Sequence, residues 1–512
     1  MKAAAIFGDN MVLQREKEIL VWGEGEDGEA VDIQFLGKSY SGKVENGKWE
    51  IKLDSAEAGG PHTMDITGKD TKLHFDNILI GEVWFAGGQS NMELELQNSD
   101  NGLAVSKNSS YEKIRFYNVP KQPYFSEDFE EEEEKASWQP AVGSVTDTMS
   151  AVAYYFAIKV QENLNVPIGI IDCYWGGTSA LCWIGKDTVT GDEIAAPYYQ
   201  EYLDIVNSKT EEQYEQEMKE YQADWEAWDG RVQKLRAENP DIKWEEINER
   251  AGFCPWPQPM GAKSGYRPCG LHETMVMRVA PYTLRGFLYY QGEEDWNKSQ
   301  YYERLNSLVI KQWREDFRDD TLDFYLTQLP MYREKGQPDD KNWCILREQQ
   351  ELTMRNNINT GMAVIIDCGE MDNIHPTDKK TPGERLALQC LGKTYGKLEQ
   401  YDNMYFADAR FEANKVTLQF HNTYGKIQTD CRPPIDMGSY DEGPDNRKLK
   451  GFEVSGDGEH YEAVDGEVSG EEIILFCDNI PNPQHVRYAW TNLGIVNVYN
   501  GIGLPLAQFR NK

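Results

Sequence analysis

The chain has 512 residues, 40% of them hydrophobic and 12% aromatic, so it folds, and it is too long for a single hydrophobic core. It carries 52 Lys and Arg against 86 Asp and Glu, a formal net charge of −34. That balance speaks against nucleic acid or an anionic membrane as partner, because phosphates would be repelled, and it assigns the excess acid to a solvated surface. The opening MKAAAIFGDN places only about five apolar residues before Gly8, short of the ~7–15 of a secretory signal. No apolar run reaches the ~18 residues of a membrane span. Nine cysteines at scattered spacings, with no Cys-x-x-Cys, fit a reducing compartment, and a cytoplasmic protein is expected.

Residues 1–77 read as a small all-β unit similar to a β-sandwich. Between Lys17 and Leu53 short β-rich runs alternate with turn signals at Glu26-Asp27-Gly28 and Glu45-Asn46-Gly47, and residues 58–68 add a further strand. From 78 to 400 the rhythm changes to strands alternating with helices. The apolar runs at 78–88, 166–177, 284–290, 322–330 and 361–370 predict strands, and the stretches 150–164 and 383–396 predict helices. This alternation predicts an α/β domain with a parallel sheet, whose ligands bind at the carboxyl ends of the strands. The acidic run at 126–137 is a solvated loop. A second interruption spans about 186–265. Within it Tyr214, Met218, Tyr221, Trp225, Trp228, Val232 and Leu235 recur at helical spacing behind a Thr210-x-x-Gln213 capping box. That helix either packs on its own domain or forms a rim over the site that offers tryptophans to sugars. From 401 to 512 short alternating strands return, predicting a second all-β unit.

Chemistry concentrates at the strand ends. "GEVWFAGGQSNMELE" (81–95) breaks an apolar run at two glycines and then presents Ser90. Of the seven histidines, five lie in the flanking β regions; His272 sits within the α/β region, and His375 stands in a strand-to-helix loop three residues after Asp372. A serine past one strand end, with a histidine and a carboxylate from a later one, is the layout of nucleophilic acyl transfer. Glycines beside the serine allow a sharp turn and keep amide N–H groups available for an oxyanion. Residue 92 is Met, so this is not the Gly-x-Ser-x-Gly elbow of α/β-hydrolases.

At these residues the chain resembles the sialate O-acetylesterase-type family of the SGNH hydrolase superfamily. The resemblance runs over nearly the whole length, through "GEVWFAGGQSNMELEL", "VPIGIIDCYWGGTSALCWI", "LYYQGEEDW", "NIHPTDKKTPGERLA" and the C-terminal "HVRYAWTNLGIVNVYNGIGLPLAQFR". It implies a flavodoxin-like three-layer catalytic domain with a parallel sheet, flanked by all-β units. It implies Ser90 as nucleophile and His375 as general base, with oxyanion donors at the Ser90 N–H, the Gly176–Gly177 turn and the Gln291 side chain. Asn91 would support the nucleophile turn. Asp372 is the expected carboxylate, and Glu293 of the "QGE" block is the alternative. Glu294-Asp295 departs from the family's frequent Ser-Asn and adds negative charge.

The implied reaction is removal of acetyl groups from a sugar through an acetyl-enzyme. An anionic sialic acid would require a local cation, for which Arg347 is the candidate. Acetylated xylo- or manno-oligosaccharides, being neutral, would not. A reading from another class is a carbohydrate-binding protein with a degenerate esterase core. The sequence carries no metal-ligand or phosphate-loop motif, and neither a metal nor a cofactor is expected.

Overall fold

The computed structural model describes residues 1–239, 242–435, 437 and 445–511. Its centre is a seven-strand run within a larger sheet. In chain order the strands are β1 (Lys72–Gly88), β2 (Ser110–Asn118), β3 (Gln139–Val142), β4 (Ile168–Tyr174), β5 (Gly286–Tyr290), β6 (Asp323–Thr327) and β7 (Thr360–Ala363). Their spatial order is β3-β2-β4-β1-β5-β6-β7. All neighbours pair in parallel except β3, which lies antiparallel on β2. The strands beside β1 are fixed in register by Gly169 opposite Val83 and by Gly286 opposite Trp84.

The sequence explains the central position of β1. Val83, Trp84, Phe85 and Ala86 are fully buried, as are the whole of β4 and β5. Continuous apolar runs without alternation are what a parallel strand covered on both faces requires. The helices that cover it include α2 (Ala151–Leu164), which is capped by the Ser150 side chain accepting from Ala153 N and packs on α7 (Lys380–Lys393). The chain leaves β1 for β2, returns to β4 between them, then crosses β1 to reach β5. The order therefore reverses at β1, which opens a crevice at its carboxyl end.

Strand β1 is 17 residues long. Its first half pairs with Gly59–Thr67 and Val12–Gln14 of the N-terminal β region, and its second half is the centre of the parallel sheet. Position 77/78, the expected change of pattern, falls inside this one strand. At the junction Glu82 is fully buried, and Arg15 Nε (2.6 Å), Arg285 Nε (2.8 Å) and Gln14 Nε2 (3.0 Å) bond its carboxylate. These donors hold it below the usual carboxylate range against the opposing effect of burial. After 401 the described residues form two four-stranded antiparallel sheets and one two-stranded pair.

The insertion contains α3 (Glu211–Glu238) and α4 (Trp244–Ala251). The Thr210–Gln213 capping box forms as expected, with both reciprocal hydrogen bonds present. Trp228, Val232 and Leu235 bury themselves against Ile247 and Ala251, so the apolar seam closes mainly on the insertion itself.

Arg347, the sequence candidate for a substrate anion, is fully buried on helix α6 (Asn342–Asn356). Its Nε donates to Gln508 Oε1 (2.7 Å), and its Nη2 donates to Thr491 O (2.6 Å) and Ala489 O (3.3 Å). The expectation is corrected: this guanidinium fastens the C-terminal β region to helix α6 and does not line the cavity at Ser90. Arg347→Leu strands three buried acceptors, each worth ~1–3 kcal/mol when left unpaired. The midpoint of urea unfolding followed by circular dichroism should therefore fall, with a loss of about 3 kcal/mol; an unchanged midpoint would contradict this role.

Candidate active site

Ser90 owes its position to the end of β1. Gly88 takes φ +137°, and a Cβ there would lie 2.1 Å from Tyr290 O, so only glycine allows β1 and β5 to approach this closely. The chain then turns directly into α1 (Ser90–Glu93). As the first helical residue, Ser90 has no intrahelical acceptor for its N–H. Ser90 Oγ lies 2.8 Å from His375 Nε2.

The histidine loop is braced from within. Glu370 accepts from Thr377 N (2.7 Å) and Thr377 Oγ1 (3.0 Å) with one carboxylate oxygen, and from Asn373 Nδ2 (2.7 Å) with the other. Asn373 Oδ1 in turn accepts the His375 N–H at 3.0 Å. Asn91, fully buried beside the serine, joins this loop to the nucleophile. Its Nδ2 donates to Ile374 O (2.9 Å) and Glu293 Oε1 (2.5 Å), and its Oδ1 accepts from Lys379 Nζ (2.6 Å).

Burial dominates the electrostatics. It pushes the Glu293 carboxyl up to about 7 and the Lys379 ammonium down to about 8. His375 is pushed down to about 4, first by burial and then by the Lys379 charge. The imidazole is accordingly neutral near pH 7, the state in which Nε2 accepts the Ser90 proton.

Three sequence expectations land elsewhere. Asp372 makes no hydrogen bond to His375 among the described residues. Its Oδ1 accepts from Lys335 N (2.5 Å), its Oδ2 is buried without a partner, and its backbone sits at φ +55°. Glu293 also stops short of the imidazole, with Oε1 committed to Asn91 and Oε2 buried without a partner. Gln291 is corrected outright as an oxyanion donor. Its Nε2 is engaged by Asp295 Oδ2 (2.7 Å), Thr178 O (3.0 Å) and Gln89 Oε1 (3.2 Å), and its Oε1 accepts from Tyr302 OH (2.7 Å). A side-chain amide with both ends bonded beneath the site braces the floor.

The Gly176–Gly177 turn does reach the nucleophile: a Cβ on Gly176 would lie 3.1 Å from Ser90 Cβ. The Gly176 N–H, however, donates to Glu93 Oε2 at 2.5 Å, and Lys121 pairs with the same carboxylate. Glu93 was not singled out in the sequence, although it lies three residues after Ser90 and hence on the same helical face. Lys379 was also missed; it lies inside the histidine block, but its burial against Asn91 depends on tertiary packing.

Ser90, Gly176 and His375 open on a cavity of about 930 Å³. Its far rim is supplied by the insertion through Arg236, Lys243 and Trp244, with the Arg236 guanidinium 4.9 Å from the Trp244 ring centre. Asn248 Nδ2 also donates to Asp372 O at 3.3 Å. The insertion therefore closes its own small core and forms part of the cavity wall.

This arrangement fixes a pH response. The folded-state affinity of His375 for a proton is lowered from its ordinary value of 6.5 to about 4, so the unfolded chain takes up a proton in that window and stability is lost as pH falls through it. The base form also persists to lower pH than in a solvated histidine. The acid limb of kcat/KM on 4-nitrophenyl acetate should lie clearly below pH 6.5. Lys379→Met removes the cation that depresses His375 and should move this limb upward by about one pH unit. A limb centred at or above 6.5 in the parent enzyme, or one that stays in place in the variant, would contradict it.

Three comparisons bear on identity. The family model described as carbohydrate esterase, sialic acid-specific acetylesterase, matches residues 265–392, a span that contains Glu293 and His375 and excludes Ser90. The chain is 26% identical over 438 residues to the sialate O-acetylesterase of Mus musculus, covering 77% of this chain and 73% of the relative. It is 24% identical over 529 residues to that of Homo sapiens, covering 95% and 87%. Among solved structures, a carbohydrate acetylesterase from Xanthomonas citri superimposes with a TM-score of 0.77 at 25% identity, over 100% of this chain and 99% of that one. With the block pattern around Ser90 and His375, these likenesses make the chain a carboxylic ester hydrolase similar to the sialate O-acetylesterases and to a carbohydrate acetylesterase.

Proposed function

We propose that the protein removes O-acetyl groups from a sugar through an acetyl-enzyme on Ser90, with His375 as the base, in an SGNH-type three-layer fold. The observation that carries this is the 2.8 Å contact between Ser90 Oγ and His375 Nε2 at the floor of an open cavity. Ser90 Oγ attacks the acetyl carbonyl as its proton passes to Nε2. The tetrahedral oxyanion is met by the Ser90 N–H and by the Gly176 N–H once Glu93 gives way. His375 then returns the proton to the departing sugar oxygen. Water, deprotonated by the same nitrogen, hydrolyses the acetyl-enzyme and releases acetate.

With Nε2 accepting from Ser90, the imidazole proton resides on Nδ1 and calls for an acceptor. Asp372 belongs to the histidine's own loop and has an unpartnered Oδ2, and it is the proposed acceptor when substrate is bound. Glu293 is the alternative, although its Oε1 is committed to Asn91.

The relatives bear the name of a sialate substrate. The cavity suits either a sialic acid, whose carboxylate the rim cations Arg236 and Lys243 would meet, or a neutral acetylated sugar such as a xylo- or manno-oligosaccharide. Acetate release from a panel of acetylated sialic acids and acetylated neutral oligosaccharides ranks the two.

Ser90→Ala should lose at least ~10³-fold in turnover with an unchanged circular dichroism spectrum; one tenth of the activity remaining would place the nucleophile elsewhere. Asp372→Asn should cost up to ~10⁴-fold by favouring the wrong tautomer, and Glu293→Gln should cost much less. The reverse ranking transfers the role to Glu293, and near-wild-type rates in both single variants and the double variant would sink the triad. Parent enzyme that gives only background hydrolysis of 4-nitrophenyl acetate would instead support the carbohydrate-binding reading.

A further inference from the structure

A second, smaller cleft of about 230 Å³ lies beside the turn that borders the nucleophile. Gly176 faces Ser90, and Gly177, one residue on, lies in the wall of this cleft. Consecutive Cα atoms are ~3.8 Å apart, so one turn borders both the nucleophile and the cleft. The cleft is built mainly by the insertion. Trp256, Tyr198, Tyr202 and Tyr266 line it, with Glu294 at its edge.

Trp256 is held in place yet left open. Its ring covers Gly177 so closely that a Cβ there would lie 2.4 Å from the indole. Tyr266 supports it edge-on, with ring centres 5.1 Å apart at 87°. Trp256 nevertheless remains 44% exposed. A large aromatic fixed on one side and bare on the other is a platform for the C–H face of a pyranose, while hydroxyls need polar groups at the rim. Glu201, Gln258, Glu294 and Lys298 supply them. The volume is below the ~300–1,000 Å³ of sites for drug-sized ligands, so it suits one sugar ring and not a chain. At the rim the Glu201 carboxylate offsets the Lys298 ammonium, so no net charge there calls for an ionic ring. Burial, reinforced by Asp295, pushes the Glu294 carboxyl up to about 7, which lets it donate as well as accept.

We propose that this cleft is a subsite for a neutral pyranose ring of the acetylated substrate, stacked on Trp256 and hydrogen-bonded by Glu294. The inference rests on the esterase reading above and extends it, because it places one sugar on the far side of the Gly176–Gly177 turn from the cavity. It also gives a use to the Glu294 departure and to the aromatic insertion.

The test compares kcat/KM on a monoacetylated xylobiose with kcat/KM on 4-nitrophenyl acetate, which is too small to span both sites. Trp256→Ala should lower the ratio of the two about tenfold, mainly through KM on the disaccharide. Trp256→Phe, which keeps a ring, should recover most of it. Tyr202→Ala gives the same reading if Trp256→Ala does not fold. A ratio unchanged within about twofold in these variants, or parent enzyme that cleaves 4-nitrophenyl acetate but not the acetylated disaccharide, overturns the subsite. Parent enzyme inactive on 4-nitrophenyl acetate overturns the esterase reading instead.

Discussion

The buried side chain of Asn91 makes three hydrogen bonds to two other segments of the chain, and the site depends on it. One donor reaches the histidine loop at Ile374 O, the same nitrogen meets Glu293 at the end of β5, and the acceptor takes Lys379 just before α7. Asn91, Glu293 and the loop that carries Ile374 and Lys379 lie far apart in the chain and meet because the sheet reverses its order at β1. Hydrogen bonds to charged partners are worth ~1.5–3 kcal/mol each, and a partner left alone in the interior costs more than that bond gave. No member of the group can leave without stranding the others. The separation of Ser90 and His375 follows from this knot as much as from the direct contact between them.

The same knot concentrates charge where water is scarce. A glutamate near 7, a lysine near 8 and a histidine near 4 share one buried neighbourhood. Each is displaced toward its neutral form, the response of an isolated ionisable group to burial. The consequence for acyl transfer is specific. A cation beside the histidine opposes the imidazolium that forms during attack, and a carboxylate opposes that cation. The energy of the imidazolium is therefore set by the balance of Lys379 against the nearby carboxylates. A Ser-His-Asp arrangement with the aspartate directly on the imidazole has a simpler balance.

Part of this was legible in the chain. The apolar run 83–86 followed by two glycines points to a buried strand with a serine at its tip, and such a strand lies at the centre of the sheet. Thr210 and Gln213 announced a helix start because capping is local chemistry. The expectations that failed concern residues whose partners are remote. Nothing in "ILREQQ" says that Arg347 will meet Gln508 and the carbonyls of 489 and 491, and nothing in "QGE" says that Gln291 will spend its amide on Asp295. Asp372 shows a further limit: its spacing from His375 is right, but the amide of Lys335 engages its Oδ1 on a left-handed backbone, and Oδ2 alone is left to meet the ring. Spacing along a loop fixes reach and leaves direction open.

Glu93 connects these points. It follows the serine by one helical turn, so the helix that presents Ser90 also carries a carboxylate to the Gly176 N–H. In the free protein a carboxylate thus already occupies the N–H proposed as an oxyanion donor, held on its other side by Lys121. A substrate oxyanion must compete with that carboxylate for the N–H, and it succeeds only if the rest of the substrate binds well enough to shift Glu93 toward Lys121. Small acetyl esters provide little such binding, whereas a sugar in contact with the insertion provides much more. On the proposed reaction, discrimination in favour of larger substrates follows from the helix that carries Ser90 together with the aromatic cleft, because remote binding energy is what would release the donor.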